Sequence, residues 1–305
     1  MITTLAGGVG AARFLTGLVQ LVKQEDISVI VNTGDDMDMF NLHISPDIDI
    51  ITYTLAGVVD EKKGWGVKDD TFQCLEMLKN LGLDTWFALG DKDFATHIFR
   101  TEMLKKGYSL TQVTEKICRS FGLKLKVLPM ANERFETWIH LKDGLVHFEE
   151  YFVKRAQKDK ILGFEFIGDK EAKPAPGVIE ALMISEKIIV CPSNPIVSIG
   201  TILSVTGIRE ALKKTNAKIV GVSPIVEGAT IKGPADKMLT HLGLEVSAYS
   251  VAKLYADFLD AFVIDIRDSE QAQKIHQLGI DVKVTNTIMK SLDDKIGLAK
   301  TVLEC

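Results

Sequence analysis

The chain has 305 residues, 46% of them hydrophobic and 25% charged, which is enough to bury a sizeable core and is the balance of an ordinary globular protein. A net charge of −5 with scattered lysines and arginines excludes a basic nucleic-acid footprint and a polybasic membrane face. No run of about 18 apolar residues and no basic, apolar leader occurs, and Cys74, Cys118, Cys191 and Cys305 lie far apart without a CxxC. These features predict a cytoplasmic protein with reduced thiols, without a disulfide framework or a zinc site.

Ile2–Leu5 reads as a first strand, and Phe14, Leu15, Leu18, Val19 and Val22 then recur on one helical face. Ile27–Val31 is a second buried strand, so the opening is a βαβ unit with parallel strands. Trp86–Leu89 is expected as a strand feeding the loop Gly90-Asp91-Lys92-Asp93. Further strands are expected at Ile188–Cys191, Ile219–Val222 and Phe262–Ile266, the first two running into proline-containing loops. Between them, Thr137, Ile139 and Leu141 alternate with polar residues up to Asp143-Gly144, a hairpin signal. The pattern predicts an α/β fold: one doubly wound, mostly parallel Rossmann-like sheet over residues 1–305, with a small α+β insertion at about 124–175 containing the hairpin.

Four loops carry chemistry. In Gly7-Gly8-Val9-Gly10-Ala11-Ala12-Arg13, between strand and helix, glycines permit a tight turn while amides at the helix start face an anion. The third glycine of a dinucleotide fingerprint is replaced by Arg13, which suits a phosphate better than close helix–sheet packing. The loop from Asn32 to Asp49 holds five aspartates, at 35, 36, 38, 47 and 49, on the same sheet edge. Carboxylates facing a phosphate point to a hard cation such as Mg²⁺; Asp35 or Asp36 as a ribose-binding acid is the nicotinamide alternative. Asp38 and Asp47 are expected instead to cap helices or turns.

In the third loop Asp93 is a candidate N-cap, placing Thr96, His97 and Arg100 in the opening turns of a helix, with Lys92 and Arg100 as anion or ring-edge contacts. The fourth, Pro192-Ser193-Asn194-Pro195, is echoed by Ser223-Pro224, and its hydroxyl and amide groups suit a nucleotide. No GxSxG elbow and no Walker A sequence occurs.

Taken in order, these segments, with Gly34-Asp35-Asp36, Ser45-Pro46-Asp47-Ile48-Asp49, Gly64-Trp65-Gly66, Ala95-Thr96-His97 and Val222-Ser223-Pro224-Ile225, resemble the 2-phospho-L-lactate transferase family of coenzyme F420 biosynthesis. The resemblance implies transfer of a phospho-acid, 2-phospho-L-lactyl or phosphoenolpyruvyl, from its guanosine diphosphate ester to the ribityl hydroxyl of the deazaflavin Fo, with release of GMP and use of Mg²⁺. It implies that Gly7, Gly8, Gly10 and Arg13 hold phosphate, that Asp35, Asp36 and Asp49 serve the metal, and that Asp35 and Asp36 act in catalysis. Asp49 and Lys92 would contact Fo with Thr96 and His97 nearby, while Ser193, Asn194 and Ser223 would face the nucleotide. Its members suggest a homodimer. Lys92 stands where an arginine is common. The rival reading is a non-catalytic nucleotide-sugar-binding factor of the related gluconeogenesis and cell-shape family; its Asp-Asp loop is rich in glycine and serine, unlike Gly34-Asp35-Asp36-Met37-Asp38-Met39-Phe40.

Overall fold

Strands that are apolar on both faces need cover on both faces. The computed structural model, which describes residues 1–231 and 233–305, supplies it. In chain order the first strands are β1 (Ile2–Ala6), β2 (Ile27–Val31), β3 (Met37–Met39), β4 (Leu42–Ile44), β5 (Lys126–Pro129), β6 (Glu136–Leu141), β7 (Gly144–His147) and β8 (Gly163–Ile167). They are followed by β9 (Lys187–Val190), β10 (Lys218–Val222), β11 (Ile225–Val226), β12 (Ala229–Thr230), β13 (Ala261–Asp265) and β14 (Asp281–Thr285).

Seven of them form one parallel sheet in the order β14-β13-β10-β9-β1-β2-β5. Counted within the sheet, this is the doubly wound order 3-2-1-4-5-6 with one more strand at the far edge. The winding reverses between β1 and β9, whose register pairs Ile2 with Lys187. A ligand crevice belongs at the carboxyl ends of those two strands.

Helices α1 (Gly8–Leu18) and α2 (Pro46–Leu55) cover one face with the C-terminal helix Leu292–Glu304. Phe14, Leu15, Leu18, Ile48, Leu298 and Val302 are buried there against Val29, Val31 and Ile189. The other face carries Val178, Leu182, Ile199, Ile202, Ile208 and Leu212 over Leu5, Ile30, Ile188 and Val190. Each such side chain contributes about 1.5–3 kcal/mol on burial. Between β4 and β5 run α3 (Gln73–Asn80), α4 (Asp91–Lys105) and α5 (Leu110–Ser120).

The expected strands at the N-terminus and at β9, β10 and β13 form as read. Three expectations change. Residues 86–89 make no ladder, because Trp86, Phe87 and Leu89 pack a satellite cluster with Met37, Met39, Ile44 and Phe94 beneath the β3–β4 hairpin. The insertion begins later than residue 124, since β5 belongs to the main sheet, and its core is the antiparallel order β7-β6-β8. β14 escaped notice because an exposed edge strand shows no apolar run: Asp281, Lys283 and Val284 are exposed. Among the described residues no helix is long and apolar enough to cross a membrane.

Candidate active site

β1 ends at Ala6, and Gly8 turns the chain into α1 with a φ of +67°, a conformation natural only to glycine. A β-carbon at Gly10 would overlap the Pro192 carbonyl oxygen, so glycine brings the first turn of α1 against the loop after β9. Gly7 donates its amide to Ser193 Oγ at 3.2 Å, and that hydroxyl donates back to the Gly7 carbonyl at 2.8 Å. Gly8 donates to Asp47 Oδ1 at 2.8 Å, and Asn32 Nδ2 donates to Asp47 Oδ2 at 2.9 Å. Asp47 therefore serves the helix terminus of α1, as a carboxylate there should. With Gly7 and Gly8 satisfied internally, the first-turn amides of Val9 and Gly10 are the ones left to an anion. Arg13, one turn on, is exposed and lines the same cleft. Asp38, the other expected cap, is no cap: it lies exposed on β3, 3.7 Å from His43 Nδ1.

The neighbours Asp35 and Asp36 part company. Asp35 lines the cleft, its Oδ1 buried without a hydrogen-bond partner. Burial, then the charges of Asp47, Glu149 and Asp36, push its carboxyl well above the usual range. Asp47 rises to about 6, chiefly by burial, and Glu149 to about 8 by burial and the nearness of Asp47. Asp36 turns inward: its Oδ2 accepts the Ser45 hydroxyl at 2.8 Å and lies 3.0 Å from His43 Nε2, while its Oδ1, like that of Asp35, is buried without a partner. It does not line the cleft, so the expected catalytic and metal roles of Asp36 do not match its position. The expected metal role of Asp49 fares similarly, since both its oxygens engage Arg100.

Among the described residues no three such ligands close on one point. Mg²⁺ uses one or two carboxylates and completes its shell with water and substrate phosphate. The orphaned Asp35 oxygen, with Glu149 near enough to raise its carboxyl, fits such a cation. Glu149, which follows β7 within the insertion, has no counterpart among the expected site residues. Its only signal is a pair of acids interrupting an apolar run.

Helix α4 starts earlier than expected: Gly90 precedes it, and Asp93 in its first turn accepts from the Gly90 amide at 3.2 Å. Arg100 is fully buried, so it makes no substrate contact; it bridges Asp49 and His97, with Nη1 3.1 Å from His97 Nδ1. Burial lowers His97 to about 4, despite Asp49, so the ring is neutral. His97 lines the cleft, as do Asp49, Asp93 and Tyr53. Thr96 does not; its hydroxyl accepts from Tyr53 at 2.9 Å. Lys92 is also outside, its Nζ donating to the carbonyls of Lys68 and Asp69 at 2.9 and 3.0 Å.

The loops after β9 and β10 complete the floor. Ser193, Asn194 and Ser223 all line the cleft. Their side chains mostly shape the loops: Asn194 Oδ1 accepts from the Ile196 amide at 2.9 Å, and Ser223 Oγ donates to the Ile225 carbonyl at 2.9 Å. An apolar wall faces them, with Phe148 and Phe152 stacked at 5.6 Å and Phe87 and Trp65 nearby in the lining. The cleft measures about 1370 Å³, above the range of about 300–1,000 Å³ that suits one ligand. It has room for two.

A family model described as 2-phospho-L-lactate transferase CofD matches residues 2–296. The chain belongs to this family. It is 44% identical over 99% of its length to the phosphoenolpyruvate transferase of Streptomyces griseus, covering 97% of that protein. It is 43% identical over its whole length to the 2-phospho-L-lactate transferase of Methanocaldococcus jannaschii, again covering 97%. This CofD-family chain is therefore a transferase. The fold is shared more widely: a crystal structure of protein BH3568 from Bacillus halodurans superposes with a TM-score of 0.65 at 18% identity, covering 99% of this chain and 98% of that one. A likeness at that identity carries the fold and not the activity.

Proposed function

We propose that the chain moves a phospho-acid group, 2-phospho-L-lactyl or phosphoenolpyruvyl, from its guanosine diphosphate ester to the ribityl hydroxyl of Fo. The hydroxyl oxygen bonds to the phosphorus that carries the acid, that phosphorus's bond to the bridging oxygen breaks, GMP leaves with the bridging oxygen, and the hydroxyl proton passes to a base or water. The observation that carries this reading is that an anion site and a carboxylate with an unpartnered buried oxygen line one cleft. Val9 and Gly10 amides with Arg13 hold the donor's phosphates, while Asp35, in the loop after β2, lines the same cleft.

Asp35, with Glu149 near it, would hold Mg²⁺, which when bound neutralises charge on the transferring phosphoryl group. The residues themselves supply alignment: Ser193 and Asp47 fix the glycine turn, and Phe87, Phe148 and Phe152 offer a flat apolar wall to a ring.

The two relatives differ by one point of identity and by the acid in their names, so overall similarity does not choose the donor. A panel does. The purified chain, Mg²⁺ and Fo are mixed with the lactyl, enolpyruvyl or glyceryl guanosine diphosphate ester, and GMP is measured. Release with one of them at a clear preference is expected; none with any of the three rejects the reading.

A further inference from the structure

An arginine with no exposed surface is costly, and a second device must justify it. Arg100 lies in the third turn of α4, and its guanidinium takes both oxygens of Asp49 on α2, with Nη1 at 3.0 Å from Oδ2. The same Nη1 reaches the His43 carbonyl at 3.4 Å and His97 Nδ1 at 3.1 Å. Arginine has donors only and no acceptor. His97 Nδ1 must then be the acceptor, and a neutral imidazole that accepts at Nδ1 carries its single proton at Nε2. A doubly protonated ring is excluded, because two donors would face each other. Nε2 has no protein partner among the described residues, and His97 borders the cleft.

We infer that Arg100 is a positioning residue that locks His97 in its Nε2–H tautomer, so that His97 donates a hydrogen bond to a neutral acceptor atom of the bound co-substrate. The acceptor is neutral because no uncompensated positive charge stands beside the ring: the Arg100 guanidinium is paired with both oxygens of Asp49, and Asp93 adds a further carboxyl to the cleft lining. A phosphate is drawn instead to Arg13 and the glycine turn. A carbonyl or hydroxyl oxygen fits. The two ends of the cleft are thereby sorted by charge, the anionic donor at α1 and the uncharged partner at α4. In the transferase reading, on which the ligand part of this inference rests, the uncharged partner is Fo.

The lock is read without turnover. With ¹⁵N-histidine in the full chain at pH 7, long-range proton–nitrogen spectra should show His97 protonated at Nε2 and bare at Nδ1. An Nδ1–H or doubly protonated ring overturns the inference and leaves the transferase reading standing. Arg100→Lys, which keeps the charge but loses the fork, should let the second tautomer appear; a spectrum unchanged from wild type overturns the lock. The donor role is read by Fo binding, followed through its fluorescence. His97→Asn, too short to reach, should weaken binding about 5–10-fold, the worth of one neutral hydrogen bond. His97→Gln, whose amide extends to the place of Nε2, should recover most of that loss. Equal binding by the two variants overturns the donor role. Fo failing to bind wild type rejects the transferase reading and the donor role, while the tautomer spectra still decide the lock.

Discussion

Asp35 and Asp36 are adjacent in the chain and opposite in circumstance. Asp35 faces the cleft with an oxygen that no group satisfies, in the company of two more acids. Asp36 also keeps one buried oxygen without a partner, but its other oxygen is held by Ser45 and His43, and Asp49 on α2 is closed by Arg100. One set of carboxylates meets further acids, and the other meets hydroxyl, imidazole and guanidinium groups. Buried charge without a partner marks a place where a ligand completes the structure, whereas buried charge with one is part of the frame.

The largest effect expected on the frame is at Arg100. Arg100→Met, close in length but uncharged, leaves Asp49 buried and alone and should cost about 3–5 kcal/mol in urea unfolding. Adding Asp49→Leu should return much of that, since an apolar pair of similar volume replaces an ion pair at little cost. If the double variant is no more stable than the single, the pair is not the source of the loss. On the cleft side, Asp35→Asn should lower turnover about 10²–10³-fold, as loss of a preorganised charge does. Its stability should hold or rise, because repulsion with Asp47 and Glu149 is relieved. Asp36→Asn should do the reverse, costing about 1–3 kcal/mol of stability through its bonds to His43 and Ser45 with a much smaller loss of turnover. Equal losses of activity in the two variants would erase the distinction between them.

That distinction was beyond the sequence, for a physical reason. The glycine turn, the aspartate loop and the Asp143-Gly144 hairpin are local, and their chemistry can be read from neighbours in the chain. Which way Asp35 and Asp36 point depends on a non-periodic loop, where no helical or strand repeat assigns a face. Glu149 meets Asp47 only because the insertion folds back over the β1–β9 crevice, and Arg100 meets Asp49 across 51 residues of chain. The sheet's core strands were legible because they are mostly apolar and β-branched. β14 was not, since an exposed edge strand needs less apolar sequence, and β5 is a short buried run that follows the alternating Lys124 and Lys126.

A smaller effect is expected at Arg13, an exposed cation of the cleft lining that has no carboxylate partner among the described residues. Arg13→Ala should raise KM for the guanosine diphosphate ester about tenfold, roughly the worth of one charge-assisted hydrogen bond at a half-open site, with the melting temperature unchanged. Arg13→Lys should recover part of it, keeping charge without the fork. An unchanged KM in Arg13→Ala would move the phosphate away from α1.

The smallest effect tests whether the tension among the cleft carboxylates is real. Asp47 at about 6 and Glu149 at about 8 bind their protons more tightly folded than unfolded. Groups raised in this way contribute stability that is fully present below their unfolded values, near pH 4, and lost as pH rises through 6 and then 8. At pH 8 the ionised cluster is therefore at its least favourable, and a divalent cation gains most by joining it. With Mg²⁺ at about ten times its Kd, mass action adds about 1.4 kcal/mol, or roughly 3 °C of melting temperature. The shift should appear at pH 8, shrink toward zero at pH 5 where protons already occupy the cluster, and be lost in Asp35→Asn. A shift of the same size at both pH values, or one that survives in Asp35→Asn, places the cation elsewhere and leaves the orphaned Asp35 oxygen to the substrate alone.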